Sequence, residues 1–154
     1  MYYTSMVNQH EKEWDMSIDI NCKGVVNGVN AVIQSMTQRK SGHIINMSSD
    51  AGRRGFAGLA VYSGTKFFVE GFSQALRHEM VEFNVKVTTV QPGDVKTELL
   101  SHTTDQEAKE KYDGSTLTTI LNPGDIGKAI VFIASQPKAV AINEMLIEPT
   151  GAPI

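Results

Sequence analysis

The alternation of helix-like and strand-like segments is the feature that most limits how this chain can fold. Apolar residues recur at helical spacing in three long stretches, and a short β-branched or apolar run follows each of them. In chain order, the pattern predicts helices at about 9–38, 60–82 and 122–136 and strands at 43–47, 85–90 and 142–147. Because helices and strands alternate, we expect a parallel sheet with right-handed crossovers and helices on both faces. The expected fold class is therefore α/β, a three-layer Rossmann-type arrangement with about three strands.

The helix boundaries rest on local signals. Asn8 followed by Glu11 predicts the start of the first helix, and Ser41-Gly42 ends it. Its predicted buried stripe consists of Trp14, Ile18, Asn21, Val25, Val29, Val32 and Met36. Asn122-Pro123 with Asp125 predicts the last helix start, because it combines a cap, a proline at the first position and an acid in the first turn. A short helical turn is expected at 106–112.

Composition narrows the functional classes. The chain has 154 residues and a formal net charge of −3, which argues against a surface for nucleic acid or acidic lipid. No run approaches the ~20 apolar residues of a membrane span. Cys22 is the single cysteine, so no internal disulfide is possible, and a reducing, cytoplasmic setting is expected. The four histidines lack metal-ligand spacing, so no metal site is expected.

The segment Tyr62-Ser63-Gly64-Thr65-Lys66 carries the main chemical signal. On a helix, positions i and i+4 share a face, so the tyrosine and the lysine are expected to lie close together. A nearby cation favours the phenolate, so Tyr62 is predicted to act as an acid/base below the usual phenol pKa of about 10. That property suits proton transfer with an alcohol oxygen. The alternative is an ordinary amphipathic helix with a surface Tyr and Lys.

Two further polar residues occupy positions that can belong to a binding site. Ser49 follows a predicted strand at the edge where open α/β sheets bind ligands, and Asn21 falls on the apolar stripe of the first helix. A serine there can also simply form the turn, and the asparagine can be a core residue bonded within its own helix. Arg53-Arg54 is either a solvated turn or an anion contact beside the pocket. The nearby glycines do not have phosphate-binding spacing.

Four segments together resemble the short-chain dehydrogenase/reductase family. They are Asn21-Cys22-Lys23-Gly24, Asn46-Met47-Ser48-Ser49-Asp50-Ala51-Gly52, the Tyr62 to Lys66 segment, and Pro92-Gly93-Asp94-Val95-Lys96-Thr97. The tail from Gln136 to Thr150 looks like the branch that includes serine and 3-hydroxy-acid dehydrogenases. The resemblance covers essentially the whole chain, but the chain corresponds only to the C-terminal portion of a usual member, roughly three-fifths of it. Residues 1–154 are thus expected to form a single partial NAD(P)-binding Rossmann-type domain.

The resemblance implies catalytic roles for four residues. Tyr62 would be the general acid/base of an oxidoreductase that moves a hydride between NAD(P) and an alcohol or carbonyl substrate. Lys66 would lower the pKa of that tyrosine and bind the nicotinamide ribose. Ser49 would hold the substrate oxygen, and Asn21 would anchor a water that links Lys66 to solvent.

The resemblance also implies a cofactor and its contacts. Tyr62 and Lys66 would contribute to the cofactor site, the backbone of Val95 and the hydroxyl of Thr97 would bind the nicotinamide carboxamide, and Pro92 and Gly93 would shape the turn. The cofactor is expected to be NADP or NAD, with NADP slightly preferred, since the residue that distinguishes them belongs to the absent N-terminal part. The glycine-rich pyrophosphate motif is absent too, so we expect that the sequence starts at an internal Met or is a natural truncation.

The family resemblance also implies how the chain assembles. Family members commonly pair two long helices across a two-fold axis, so a homo-oligomer through the helices at about 9–38 and 60–82 is expected, with Phe72 in the contact. The strand at 43–47 should have an open edge, since its neighbour belongs to the absent part. The alternative to an enzyme is a truncated, catalytically inactive fragment that acts only as a dimerisation or interaction module.

Overall fold

Three parallel strands form the centre of the computed structural model, which describes residues 1–112 and 119–152. The strands are β1 (Gly42–Met47), β2 (Val85–Pro92) and β3 (Glu144–Ile147), in the spatial order β1-β2-β3. The register places Ile44 opposite Val87 and Val90 opposite Met145. The predicted parallel α/β sheet is confirmed. The central strand is two residues longer than predicted, and β3 starts two residues later.

Five α-helices surround or flank this sheet in the described part of the chain. They are α1 (Glu11–Ile18), α2 (Gly24–Gln38), α3 (Ala60–Glu79), α4 (Gln106–Tyr112) and α5 (Pro123–Ala134). A single turn of π-helix, Asp19–Lys23, joins α1 to α2, and 3₁₀ turns occupy Met6–Asn8, Asp50–Gly52, Val81–Phe83 and Glu98–His102. The predicted starts and ends are therefore correct to within a few residues for every helix.

The helices cover both faces of the sheet. On one face, Val29 of α2 and Leu76 of α3 form a buried cluster with Ile44 and Val87. On the other face, Ile126 and Ile133 of α5 pack with Val90. Neighbouring strand residues point to opposite faces, so the even and odd positions of β2 serve different clusters. This is the expected three-layer arrangement.

Two residues of the first helical region differ from the predicted buried stripe. Ile18 and Val32 were predicted on the buried stripe, but they are 43% and 37% exposed, and Ile33 packs on the core instead. The inward positions run Ser17, Asn21, Val25, Val29 and Ile33, a spacing of four that exceeds the 3.6 residues of a regular α-helical turn. The wide turn at Asp19–Lys23 absorbs the difference. Such turns are frequent at functional sites, and this one contains Asn21.

A network around Asp105 holds the segment after β2 against the N-terminal residues. The Asp105 carboxylate, in a residue only 4% exposed, accepts hydrogen bonds from the backbone of Ser5 at 2.9 Å and the side chain of Asn8 at 3.0 Å. It also accepts from the backbone of Ala108 at the start of α4. Leu99 and Leu100 are thereby held as one wall of the cavity described below. No described helix is both long and apolar enough to span a bilayer.

The outer side of β1 pairs with no described strand, which leaves a parallel-sheet strand at an edge. Unpaired N–H and C=O groups on such an edge favour association with other chains. We expect the 154-residue chain alone to form polydisperse oligomers in light scattering. A monodisperse monomer with a single sharp unfolding transition would contradict this expectation.

Candidate active site

The candidate site lies where the carboxyl ends of β1 and β2 meet. The backbone N–H of Ser48 donates to the Val90 carbonyl at 2.8 Å, so the loops that follow the two strands leave the sheet side by side. They open into a cavity of about 890 Å³, at the edge where open α/β sheets place ligands. All eight predicted site residues line it: Asn21, Ser49, Tyr62, Lys66, Pro92, Gly93, Val95 and Thr97.

Tyr62 and Lys66 project from the same face of α3 into this cavity. They are 9% and 8% exposed, and the lysine Nζ lies 5.4 Å from the centroid of the tyrosine ring. The Lys66 ammonium donates one hydrogen bond to the Met47 carbonyl at the end of β1, at 3.1 Å. Burial lowers the pKa of Lys66 to about 8. The alternative interpretation, an ordinary amphipathic helix with a surface Tyr and Lys, is therefore wrong.

The expected effect of the lysine on the tyrosine is not what the structure gives. Burial raises the pKa of Tyr62 above the usual phenol value, and the charge of Asp50 raises it further, while a hydrogen bond with Ser49 opposes both. Lys66 is not among the causes of that shift. The main reason is that the phenol loses solvent in the cavity wall, which disfavours its charged form. Tyr62 is consequently protonated at neutral pH in this chain.

Ser49 is oriented by its neighbours at the end of β1. Its hydroxyl donates to Oδ1 of Asp50 at 2.7 Å, with a weaker contact to the Pro92 carbonyl at 3.4 Å. Its oxygen accepts the backbone N–H of Ala51 at 3.2 Å, which starts the 3₁₀ turn Asp50–Gly52. The turn-forming interpretation is thus correct, but Ser49 also reaches Tyr62 through the hydrogen bond noted above.

Asn21 acts through α3 and does not bond within its own helix. Its amide nitrogen donates to the Thr65 hydroxyl at 3.0 Å, and Thr65 in turn donates to the Tyr62 carbonyl at 2.7 Å. The π turn therefore fastens the first helix to the turn of α3 that carries Tyr62. The described residues give the Asn21 amide oxygen no donor, so it can accept a hydrogen bond in the cavity.

The segment after β2 forms the other side of the cavity. The N–H of Lys96 donates to the Leu121 carbonyl, and the Asp94 carbonyl accepts from the Leu121 N–H. This pairing does not involve the N–H and C=O groups of Val95. The Thr97 hydroxyl accepts the backbone N–H of Leu99 at 3.3 Å and keeps its own proton for another partner. A side chain at Gly93 would come within 3.2 Å of Pro149, so this glycine allows β2 to approach the segment after β3.

Several residues of the cavity were not assigned a site role from the sequence. Asp50 and Asp94 line it, as do Arg54 and Phe56. Asp50 and Asp94 lie within segments that carry the family resemblance, and Arg54 belongs to the pair considered as an anion contact, but Phe56 carried no signal. The two arginines separate: Arg54 lies over the Phe56 ring at 4.7 Å, whereas Arg53 pairs with Glu144 at 2.8 Å outside the cavity. Within the described residues, no group of His, Cys, Asp or Glu is arranged to hold a metal ion.

The low pKa of Lys66 has a measurable consequence for stability. Between pH 8 and 10.5 the unfolded chain holds a proton on this lysine that the folded chain has lost, so stability rises with pH across that window. Below pH 8 the buried charge costs about 3 kcal/mol, partly offset by its bond to Met47.

We therefore expect Lys66→Met to raise the free energy of unfolding at pH 7 by about 2 kcal/mol and to remove the rise at alkaline pH. Urea denaturation at pH 7 and pH 10 of a longer protein that carries this chain measures both. Lys128→Met is the control, since that side chain is 83% exposed and its loss should change little. A destabilised Lys66→Met at both pH values would contradict the assignment.

Comparison with known proteins agrees with this geometry. Residues 3–108 match the family model described as short chain dehydrogenase. Glycine betaine reductase ATRR of Emericella nidulans is 46% identical over all 154 residues, which are 12% of that protein. An uncharacterized oxidoreductase of Staphylococcus saprophyticus is 39% identical over 92% of this chain and 58% of its own length. The chain belongs to the short-chain dehydrogenase/reductase family.

Solved structures give the same result. Serine dehydrogenase from Escherichia coli is 31% identical with a TM-score of 0.77, over 96% of this chain and 58% of that one. A closed form of serine dehydrogenase complexed with NADP⁺ is 33% identical with a TM-score of 0.82, over 94% of this chain and 59% of that one. The chain thus spans less than two-thirds of the length of these relatives.

Proposed function

We propose that this chain supplies the catalytic half of an NAD(P)-dependent oxidoreductase that interconverts an alcohol and a carbonyl compound. The observation that supports this most strongly is the meeting of Ser49, Tyr62 and Lys66 in one cavity at the carboxyl edge of the sheet. Asn21 supports it further, because its bond to Thr65 fixes the turn that carries Tyr62. No ordinary core requirement explains four polar side chains gathered at this edge.

The cavity fits a nicotinamide riboside and a small substrate. Its volume of about 890 Å³ lies in the range of small-molecule sites. The unused backbone groups of Val95 and the free proton of Thr97 suit a carboxamide, which needs both a donor and an acceptor. Lys66 uses one of its three N–H donors on Met47 and has two left for ribose hydroxyls. NADP or NAD would bind here, with NADP slightly preferred.

Different residues of the chain take part in different steps of carbonyl reduction. When bound, the reduced nicotinamide supplies a hydride to the carbonyl carbon. Tyr62, protonated at neutral pH, donates its phenolic proton to the carbonyl oxygen, which leaves an alcohol and a transient phenolate. Ser49 holds the reacting oxygen beside Tyr62. The proton lost from Tyr62 is replaced through Lys66 and a water held by the Asn21 amide oxygen. Oxidation of an alcohol reverses these steps.

We further propose that residues 1–154 are one partial domain of a longer protein. We call that protein the extended protein: in it, a glycine-rich segment that binds the pyrophosphate precedes residue 1. The support is that the serine dehydrogenase structures match this chain over only 58% and 59% of their lengths. Its substrate would be a small alcohol or carbonyl compound, with serine and glycine betaine derivatives as first candidates from the names of its relatives. The single Cys22 supports a reducing, cytoplasmic location.

Turnover by the extended protein tests the proposal. Loss of NADPH or NADH fluorescence is followed with a panel of small aldehydes and ketones. We expect saturable oxidation with at least one compound. No turnover with any of them, while cofactor binds, would favour the alternative of a non-catalytic interaction module.

Exposed apolar side chains on the two long helical regions support a homo-oligomer. Ile20 in the π turn is 63% exposed, and Phe67 and Phe68 on α3 are 48% and 38% exposed. Phe68 stacks on Phe72 with ring centroids 5.7 Å apart. Phe72 itself packs against the core, so a charge at that position would damage the fold as well as any contact between copies.

Phe68→Glu is therefore the better test of dimerisation. We expect it to convert a dimer of the extended protein into a monomer, because a charge buried in an apolar contact is costly. Phe132→Glu is the matched control, since Phe132 is 54% exposed on α5. Sedimentation equilibrium at micromolar concentration distinguishes them. If both variants remain dimeric, the interface lies elsewhere.

A further inference from the structure

Asp50 places a carboxylate directly beside the expected position of the substrate oxygen. Its Oδ1 accepts hydrogen bonds from the Ser49 hydroxyl and from the Ala51 backbone, both at 2.7 Å. The described residues offer no hydrogen-bond donor to its other oxygen, Oδ2. This carboxylate is therefore held in place by one oxygen and open to a ligand through the other.

Asp94, an exposed residue after β2, adds a second carboxylate to the lining of the same cavity. Among the described residues, neither Asp50 nor Asp94 has a cation within the 4.0 Å of an ion pair. Burial raises the pKa of Asp94 and that of Tyr62, and the charge of Asp50 raises both further. The two carboxylates thus repel each other, and Asp50 opposes the negative charge that forms on Tyr62.

The two cationic side chains that line this cavity do not neutralise the acids. The Lys66 ammonium is directed to the Met47 carbonyl at 3.1 Å, and neither Asp50 nor Asp94 is among the groups that shift its pKa. The Arg54 guanidinium lies over the ring of Phe56, 4.7 Å from its centroid. That contact shows a cation seated on an aromatic wall of the cavity, and Arg54 is an exposed residue that a ligand can displace.

We propose that the substrate of this site carries a positively charged ammonium group, bound between Asp50 and Asp94 against the ring of Phe56. This inference rests on the proposed function and names its substrate class: small alcohols and carbonyl compounds with a primary to quaternary ammonium group. A bound cation would neutralise the carboxylates and remove the repulsion of the Tyr62 phenolate by Asp50. Substrate binding and proton transfer would then favour the same compounds.

The test compares two alcohols of nearly equal shape and different charge. Choline carries a trimethylammonium group, and 3,3-dimethyl-1-butanol has a neutral tert-butyl group in its place. We measure kcat/KM for the oxidation of each by the extended protein with NADP⁺ or NAD⁺. The expected preference for choline is about tenfold or more, and we expect Asp50→Asn and Asp94→Asn each to reduce that ratio severalfold, mainly through the KM for choline.

A general disturbance of Ser49 in Asp50→Asn would lower both rates and leave their ratio unchanged, so the ratio separates charge recognition from positioning. Glu82→Gln removes an exposed carboxylate outside the cavity and should not alter the ratio. Equal rates for the two alcohols, a preference for the neutral one, or turnover of alcohols without an ammonium group only would overturn the inference and leave the proposed function intact.

If the extended protein oxidises no alcohol, the proposed function fails. A measurement of choline binding then tests the proposed cation site separately. Choline is then titrated against the wild-type protein and Asp50→Asn by calorimetry. Saturable binding that the variant loses supports the cation site. Absence of binding to the wild-type protein overturns it.

Discussion

Replacing Tyr62 with Phe in the extended protein is expected to lower kcat for carbonyl reduction by about 10²–10⁴-fold. The substitution removes only the phenolic oxygen, so the ring still packs with Ala51 and Leu59 and the fold is retained. Cofactor binding should change little, because the lysine and the segment after β2 remain. Steady-state kinetics with equilibrium binding of NADPH separates the two effects.

Tyr2→Phe is the matched control for this substitution. The Tyr2 hydroxyl contacts the Met16 sulfur at 2.9 Å, and the residue does not line the cavity, so its removal should leave kcat within about twofold. The wild-type reduction rate should also persist through neutral pH and fall in the alkaline range, since the raised pKa keeps Tyr62 protonated until then. A Tyr62→Phe variant with a third or more of the wild-type rate would remove the tyrosine from the mechanism.

The 154-residue chain by itself is expected to bind NADPH and NADH only at millimolar concentration or more weakly, and to turn over no alcohol measurably. Affinity for dinucleotides in this fold depends heavily on a glycine turn and a helix N-terminus that hold the pyrophosphate. Loss of such contacts costs several kcal/mol, and each ~1.4 kcal/mol is a factor of ten in affinity. The nicotinamide side retains Lys66, Val95 and Thr97.

Fluorescence titration of each cofactor against the purified chain and the extended protein measures this difference. We expect saturation in the micromolar range for the extended protein but not for the 154-residue chain. Saturable micromolar binding by the 154-residue chain would show that the absent segment is dispensable, or is supplied by another copy, and the reading of the chain as half of a site would then be wrong.

The sheet and the cavity could be predicted because their signals are local. The run at 85–90 and the break at Pro92-Gly93 define a strand and its end, and the spacing of Tyr62 and Lys66 needs only one helix. Ser49 and Pro92 follow neighbouring parallel strands, so the topology alone places them at one edge. These signals account for Ser49, Tyr62, Lys66 and Pro92, whereas Val95 and Thr97 were assigned through the family resemblance; all eight predicted residues line one cavity.

The predictions that were wrong depend on physical effects that a local sequence pattern does not show. A regular 3.6-residue period predicts Ile18 inside, but next to the π turn at Asp19–Lys23 the buried position is Ser17. Val32 lies beside the inward position, which is Ile33. The pKa of Tyr62 was predicted to fall because a cation was counted and burial was not. The charge of Asp50 became relevant only when the loop after β1 brought it beside Ser49.

Transfer of an isotopically labelled hydride tests the central claim most directly. The extended protein is incubated with NADPH or NADH deuterated at the transferred position of nicotinamide C4, together with the best carbonyl compound of the panel. We expect one deuterium at the carbinol carbon of the product, formed at the rate of cofactor oxidation, and at most traces of this product with Tyr62→Phe. Product without deuterium, or equal labelled product from Tyr62→Phe, would contradict hydride transfer at a site governed by Tyr62.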